Sequence, residues 1–148
     1  TPSDFDYGSF IRRPAERNPG WVTGLSNWSY TTPEAVRQGD LYGVACASLR
    51  KLAGRDCDLW QGLYLTAGTH RMTFRYRAAG GFTAFVRNKE GAPVAEAALY
   101  QPPCGYFKGK DWQEGELVFR VPADGLYRLG IAAGDDLAAV YATDFRAD

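Results

Sequence analysis

Apolar and polar residues alternate one by one along several short stretches of the chain. In the clearest, 71–77, Met72, Phe74 and Tyr76 alternate with arginine and threonine. Because successive side chains of a β-strand point to opposite faces, this pattern predicts a strand with one buried face. The same alternation is present in 116–121 and 127–131. Further strand candidates are Leu41–Arg50, Leu59–Thr66, Gly81–Asn88, Ala92–Tyr100 and Ala138–Arg146.

Turn-forming residues separate these stretches, since the chain has 17 glycines and 8 prolines. We expect turns at 67–69, 80–81, 89–91, 122–125 and 134–136. The stretch 35–37 is too short for a helix. About eight or nine short strands at roughly 10–15-residue spacing predict an all-β, antiparallel sandwich or barrel.

The length and charge of the chain limit the number of domains and the kinds of partner that we expect. A chain of 148 residues suits a single domain, 1–148. The net charge is zero, from 17 basic and 17 acidic residues, which disfavours a nucleic-acid partner. No apolar run approaches the roughly 20 residues that cross a membrane, so no membrane partner is expected. No stretch resembles a signal peptide, so an export signal would have to lie outside this sequence.

The three cysteines cannot all pair within one chain. Cys46 lies in an apolar, strand-like run, which is typical of a buried thiol. Cys57 and Cys104 lie in polar, turn-rich segments, and in an extracellular protein we predict a disulfide between them. Because His70 is the sole histidine, the chain has few residues that could form a Cys/His zinc site.

Four motifs, taken in order, resemble a known family. They are Asn18–Trp21 with Leu25–Trp28, Leu59–Phe74, Trp112–Leu129 and Val140–Phe145. Together they are similar to the β-jelly-roll carbohydrate-binding modules of the galactose-binding-like group. The resemblance covers most of the chain. It implies a jelly-roll sandwich that binds a polysaccharide without catalysis, as an extracellular accessory module tethered to the catalytic domain of a secreted bacterial protein.

The same resemblance implies a structural Ca²⁺ ion where the first and last strands meet. Calcium takes about six to eight oxygen ligands from carboxylates and carbonyls. Asp6 matches the acid of the family's first strand, with Asp4 nearby, and Asp144 matches the acid of its last strand. Asp40 could lie in the loop that often adds a further ligand. The insert at 11–14 departs from the family pattern. The alternative is that these aspartates are solvated turn residues.

Aromatic side chains are the first candidates for sugar binding, because they stack on the apolar C–H faces of sugar rings. They make up 14% of the chain. Trp60, Gly62 and Tyr64 alternate onto one face of a strand, and the glycine leaves a gap beside two rings. Alternation alone does not decide whether that face is buried or exposed. Tyr106, in the loop 106–110, and Trp112 are further candidates.

Arginine is the second candidate, with 13 arginines against 4 lysines. Arginine pairs in bidentate fashion with carboxylate or sulfate groups. If the apolar face of 71–77 is buried, Arg75 and Arg77 lie on the outer or concave surface, where Arg87, Arg120 and Arg128 could join them. This face is interpreted either as a site for an acidic glycan or as a solvated face paired with carboxylates. The predicted carbohydrate-binding set is Trp60, Tyr64, Arg75, Arg77, Arg87, Tyr106 and Trp112.

Two other functions remain open at this point. One is a structural spacer or protein-interaction domain without affinity for glycans. The other is a small enzyme, which would need two convergent carboxylates such as Glu114 and Glu116. No Gly-x-Ser-x-Gly motif is present. We therefore predict no catalytic residues.

Overall fold

The computed structural model describes residues 11–12, 29–41, 44–102 and 112–147, and these residues form β-strands with one short 3-10 helix. The strands are β1 Ile11–Arg12, β2 Ser29–Tyr30, β3 Val36–Leu41, β4 Val44–Leu49, β5 Asp58–Leu65, β6 Gly68–Asn88, β7 Pro93–Gln101, β8 Gln113–Val121, β9 Gly125–Ala133 and β10 Ala139–Ala147. The 3-10 helix is Pro33–Ala35. Within this part of the chain, no helix is long and apolar enough to cross a membrane.

The strands pair into two sheets. The first sheet has the order β3-β4-β10-β6-β8, and β1 lies parallel beside β10. The second sheet has the order β2-β5-β9-β6-β7. Every pairing except that of β1 with β10 is antiparallel. The predicted all-β antiparallel jelly-roll sandwich is confirmed. Alternation had not identified β3, β1 or β2 as separate strands, because all three are short or weakly patterned.

Strand β6 belongs to both sheets, and here the predicted turn at 80–81 is wrong. Residues 68–79 pair with β8 and β10 in the first sheet, and residues 80–88 pair with β7 and β9 in the second. Gly80 has φ +113°, and a Cβ built on it would lie 2.9 Å from the Cα of Leu137. Glycine tolerates both the positive φ and the close approach of the neighbouring backbone. The strand therefore bends here without reversing its direction.

The hydrophobic core lies between the sheets and contains the predicted apolar faces. Met72, Phe74 and Tyr76 are buried, and so are the inward residues of β8 and β9. The rings of Phe74 and Phe145 stack with centroids 5.0 Å apart. Phe82, which lies beyond the bend, meets Tyr76 edge to face at 5.0 Å. Each fully buried side chain of this size contributes about 1.5–3 kcal/mol by removal from water.

The cysteines differ from the prediction in one respect. Cys57 is a buried free thiol, so the structure does not contain the predicted disulfide; Cys104 lies outside the described residues. The Cys57 sulfur accepts a hydrogen bond from the amide of Leu52 at 3.4 Å and faces the core. The turn 52–57 directs this side chain inward. Cys46 is buried, as its apolar surroundings predicted.

Candidate functional site

The open question about β5 is which of its faces is exposed. Leu59, Gln61 and Leu65 are buried, whereas Trp60 is half-buried and Tyr64 is 55% exposed. The face that carries Trp60, Gly62 and Tyr64 is therefore the outer one. Trp60 and Tyr64 therefore lie on the side of the sheet that faces away from the core.

The neighbouring strands complete a groove on the outer face of the second sheet. On β9, Gly130 lies opposite Trp60, Arg128 lies opposite Gly62, and Leu126 lies opposite Tyr64. On the other side of Trp60, the opposing residue is Ser29 of β2. The groove has a volume of about 340 Å³. The groove is lined by Ser29, Trp60, Gly62, Lys89, Leu126, Tyr127 and Arg128.

Two glycines shape this groove. A Cβ built on Gly62 would meet no heavy atom within 4 Å, so the space above it is open. A Cβ on Gly130 would lie 2.7 Å from the Cα of Trp60, so no side chain fits there. The result is an aromatic ring with open space beside it along its own strand, as the Trp-Gly-Tyr alternation predicted.

Arg128 supplies a positive charge beside the ring of Trp60. Its guanidinium carbon lies 5.4 Å from the centroid of that ring, and its Nη2 donates a hydrogen bond to the backbone oxygen of Lys89 at 2.8 Å. Among the described residues, no carboxylate lies within ion-pair distance of Arg128. Arg128 therefore retains donors and a charge that no side chain of this part of the molecule neutralises.

Arg87 lies on the same face but its charge is compensated. Its guanidinium carbon lies 3.8 Å from the ring centroid of Phe85, and its Nη1 lies 3.0 Å from Oδ2 of Asp58. Phe85 is fully buried although β6 directs it away from the core. Arg87 thus covers an aromatic ring on the outer face and pairs with Asp58, which suits a role in supporting the surface.

Three predicted binding residues lie elsewhere, on the first sheet. Arg75 and Arg77 belong to the half of β6 that pairs with β8 and β10. Arg75 lies opposite Glu114, with its guanidinium carbon 5.7 Å from the ring centroid of Trp112. Arg77 is buried, at 3% exposure. Arg75, Arg77 and Trp112 therefore do not lie on the face that carries Trp60, and Arg87 does not join Arg75, because β6 changes sheets between Arg77 and Arg87. Tyr106 lies outside the described residues.

The two candidate catalytic carboxylates lie on the outer face of the first sheet. Glu116 pairs with Nε of Arg71, and both side chains are more than half exposed. Glu114 is exposed and lies opposite Arg75 across the sheet. This arrangement is a cross-strand charge pattern.

The predicted calcium ligands are only partly described. Asp4 and Asp6 lie outside the described residues, and Asp40 and Asp144 are placed by their backbones in β3 and β10. The pairing of β1 with β10 at Ile11 and Phe145 brings the first strand next to Asp144. Within the part of the chain whose side chains are described, no three His, Cys, Asp or Glu residues form a metal-binding group.

The sequence pattern does not predict a binding role for Ser29, Lys89 and Leu126, which line the groove, or for Phe85, which lies against Arg87. Lys89 belongs to the segment 89–91, where the sequence predicts a turn and nothing further. The alternation of Arg128 with Tyr127 and Leu129 predicts that Arg128 lies on the outer face, and the structure confirms this. The pairing of β9 with β5 places Arg128 near Trp60, and the sequence pattern does not show which strands are neighbours.

No protein-family model matches the chain, and no curated protein matches it. Solved structures do. TmCBM61, in complex with β-1,4-galactotriose, has a TM-score of 0.62 and 15% identity over 100% of this chain and 95% of that one. A structure described as CBM4 has a TM-score of 0.62 and 14% identity over 97% of each chain. The chain therefore has the β-jelly-roll fold of carbohydrate-binding modules.

The same fold is found inside a larger protein. The enzymatically active domain of tailspike protein 4 from bacteriophage CBA120 matches with a TM-score of 0.58 and 16% identity. The match covers 82% of this chain, which spans only 19% of the tailspike chain.

Proposed function

We propose that this chain is a non-catalytic carbohydrate-binding module whose ligand lies in the groove on the outer face of the second sheet. The observation that carries the proposal is the half-buried Trp60 ring, with open space above Gly62 and with Arg128 beside it. The modules CBM61 and CBM4, which have this fold, support it.

The groove offers the two interactions that sugars need. The ring of Trp60 stacks on the apolar face of a sugar, and the hydroxyl of Ser29 is within the same groove for hydrogen bonding. Arg128 and Lys89 add two cationic groups. Because arginine makes bidentate hydrogen bonds to oxyanions, we propose an acidic polysaccharide, bearing carboxylate or sulfate groups, as the ligand.

The proposed role is to hold a tethered catalytic domain close to its substrate in a secreted, extracellular bacterial protein. Tethering converts the second encounter with the polymer into an intramolecular one and raises the effective concentration of substrate. The tailspike domain, in which this fold occupies a small share of an enzymatically active chain, supports this arrangement.

The test is a titration of intrinsic tryptophan fluorescence with neutral and acidic polysaccharides, on the unmodified chain and on Trp60→Ala. We expect saturable binding, weakened about tenfold or more by Trp60→Ala, since central aromatic residues dominate such sites. Tyr100→Ala is the matched control, because Tyr100 is 59% exposed on the same sheet but does not line the groove. Its affinity should equal that of the unmodified chain. Absence of binding by the folded chain would contradict the proposal and favour a structural spacer.

A structural calcium ion is a separate proposal. The residues proposed to hold it are Asp4, Asp6, Asp40 and Asp144, and the approach of β1 to β10 beside Asp144 supports it. Ligands that bind only the folded state raise its stability. We expect EDTA to lower the melting temperature by several degrees and calcium, added in excess, to restore it. Identical melting curves with and without EDTA would contradict the proposal.

A further inference from the structure

A second pocket adjoins the groove at one end of the second sheet. It has a volume of about 380 Å³ and lies between the loop that joins β6 to β7 and the turn that joins β8 to β9. Lys89, Leu126 and Tyr127 line both cavities, so the two are neighbours along one surface. A ligand that extends beyond the groove in this direction enters the second pocket.

The polar groups of the second pocket are held in place. The Oδ1 of Asn88 accepts hydrogen bonds from the amides of Glu90 and Ala92, at 3.0 and 2.9 Å. This fixes the side-chain amide and leaves its NH₂ group for another acceptor. The Oδ1 of Asp124 accepts a hydrogen bond from the amide of Ala67 at 2.6 Å, which leaves Oδ2 for another donor. A fixed donor and a fixed acceptor beside apolar surface are suited to the hydroxyls of a sugar.

The two cavities differ in charge. The groove is lined by Arg128 and Lys89 and by no carboxylate among the described residues. The second pocket is lined by the carboxylates of Glu90 and Asp124, with Lys89 at the shared edge. A negatively charged sugar residue is therefore attracted to the groove and repelled by the second pocket.

We propose that the second pocket holds an uncharged sugar residue of the same glycan whose acidic residue occupies the groove. The inference rests on the proposed function of the groove and makes it more specific. The preferred ligand is a polysaccharide in which acidic and uncharged residues alternate, and a polymer of uronic acid alone is disfavoured by the second pocket.

The experiment compares two hexasaccharides by isothermal titration calorimetry at low salt. One is a hyaluronan hexasaccharide, in which glucuronate alternates with an uncharged sugar, and the other is hexagalacturonate, in which every residue is acidic. We expect the unmodified chain to prefer the alternating ligand by about tenfold, and the preference to shrink as salt screens the carboxylates.

The variant that tests the charges is the double substitution Glu90→Gln with Asp124→Asn. Asparagine retains an oxygen that accepts the hydrogen bond from Ala67, and Glu90 is exposed, so the fold should be preserved. We expect hexagalacturonate to bind several-fold more tightly to this variant, so that the preference for the alternating ligand over hexagalacturonate shrinks. A preference unchanged by the double substitution would overturn the inference.

A second variant tests whether the ligand occupies the second pocket. A Cβ on Gly125, which lines the second pocket, would meet no heavy atom within 4 Å, so Gly125→Val fills the pocket without a clash. We expect it to weaken binding of the alternating hexasaccharide at an unchanged melting temperature, and unaltered affinity would overturn the inference.

The failures of the two proposals are distinguishable. Binding of both hexasaccharides that depends on Trp60 but shows no preference leaves the groove as the carbohydrate site and overturns the second pocket. A folded chain that binds neither hexasaccharide nor any neutral polysaccharide overturns both. A preference for a neutral polysaccharide over both hexasaccharides overturns the assignment of charge to the groove and, with it, this inference.

Discussion

The outer faces of the two sheets both carry arginines, yet they offer different chemistry. On the first sheet, Arg71 pairs with Glu116 and Arg75 lies opposite Glu114, so carboxylates accompany the positive charges. On the second sheet, Arg128 contacts a tryptophan ring and a backbone oxygen, and no carboxylate of the described residues pairs with it.

The difference shows that the partner of an arginine is more informative than its exposure. A solvated ion pair across two strands contributes little to stability and leaves little charge for a ligand. An arginine held by a backbone oxygen retains its full charge and several donors. Arg128 is for this reason a better candidate for binding than the more exposed Arg71.

The largest expected effect comes from filling the open space of the groove. Gly62→Val places two methyl groups where a Cβ meets nothing within 4 Å, so we expect binding to fall about tenfold or more while the fold is retained. The measurement is affinity for the preferred polysaccharide, with the melting temperature recorded in parallel.

The matched control for this change is Val118→Thr, a substitution at an exposed position on the outer face of the first sheet. It should leave affinity unchanged. Equal affinities for Gly62→Val and the unmodified chain would show that the ligand does not cross the groove.

We expect a smaller effect on affinity when one arginine is neutralised on the outer face of each sheet in turn. Arg128→Gln should weaken binding of an acidic polysaccharide several-fold, up to about tenfold, and reduce the dependence of affinity on salt. Arg75→Gln should change neither the affinity for the acidic polysaccharide nor its dependence on salt. If Arg75→Gln weakens binding and Arg128→Gln does not, the comparison between the two faces is reversed.

The pair formed by Arg87 and Asp58 should affect stability more than binding. Asp58→Asn leaves the partly buried guanidinium without its counter-ion, and we expect the free energy of unfolding to fall by about 1–2 kcal/mol. Denaturant titration measures this change. A marked loss of polysaccharide affinity with unchanged stability would instead place Arg87 in the binding surface.

The smallest effect concerns a group that lies away from both faces. Burial disfavours the charged phenolate and raises the pKa of Tyr76 above its ordinary value of 10.0. The unfolded chain releases this proton at lower pH than the folded one. The resulting stability is therefore complete below pH 10 and is lost as pH rises through the folded-state pKa. Above pH 10, the melting temperature of Tyr76→Phe should fall less steeply than that of the unmodified chain. Equal slopes would contradict the assignment of this pH dependence to Tyr76.

The sequence predicted the elements and their buried faces more successfully than their arrangement. Alternation correctly assigned Met72, Phe74 and Tyr76 to the core, because the period of a strand is a local property. It also identified the Trp60–Gly62–Tyr64 face. It did not distinguish a Gly-Gly turn from a bend at Gly80, since both place glycine in a conformation that other residues avoid.

The predicted turn accounts for the expectation that Arg87 could join Arg75 on one surface. With a turn at 80–81, Arg75 and Arg87 belong to adjacent strands that could share one surface. With a bend, they belong to different sheets. Strand order depends on contacts between residues far apart in sequence, and the spacing of residues does not record those contacts.

Strand β6 has a consequence for how the molecule opens. It is hydrogen-bonded on both edges within each sheet, to β8 and β10 in the first half and to β7 and β9 in the second. Neither sheet can separate from its neighbours without releasing the same strand, so the two should unfold as one cooperative unit. In hydrogen exchange, the amides on either side of Gly80 should show the same high protection and the same opening free energy.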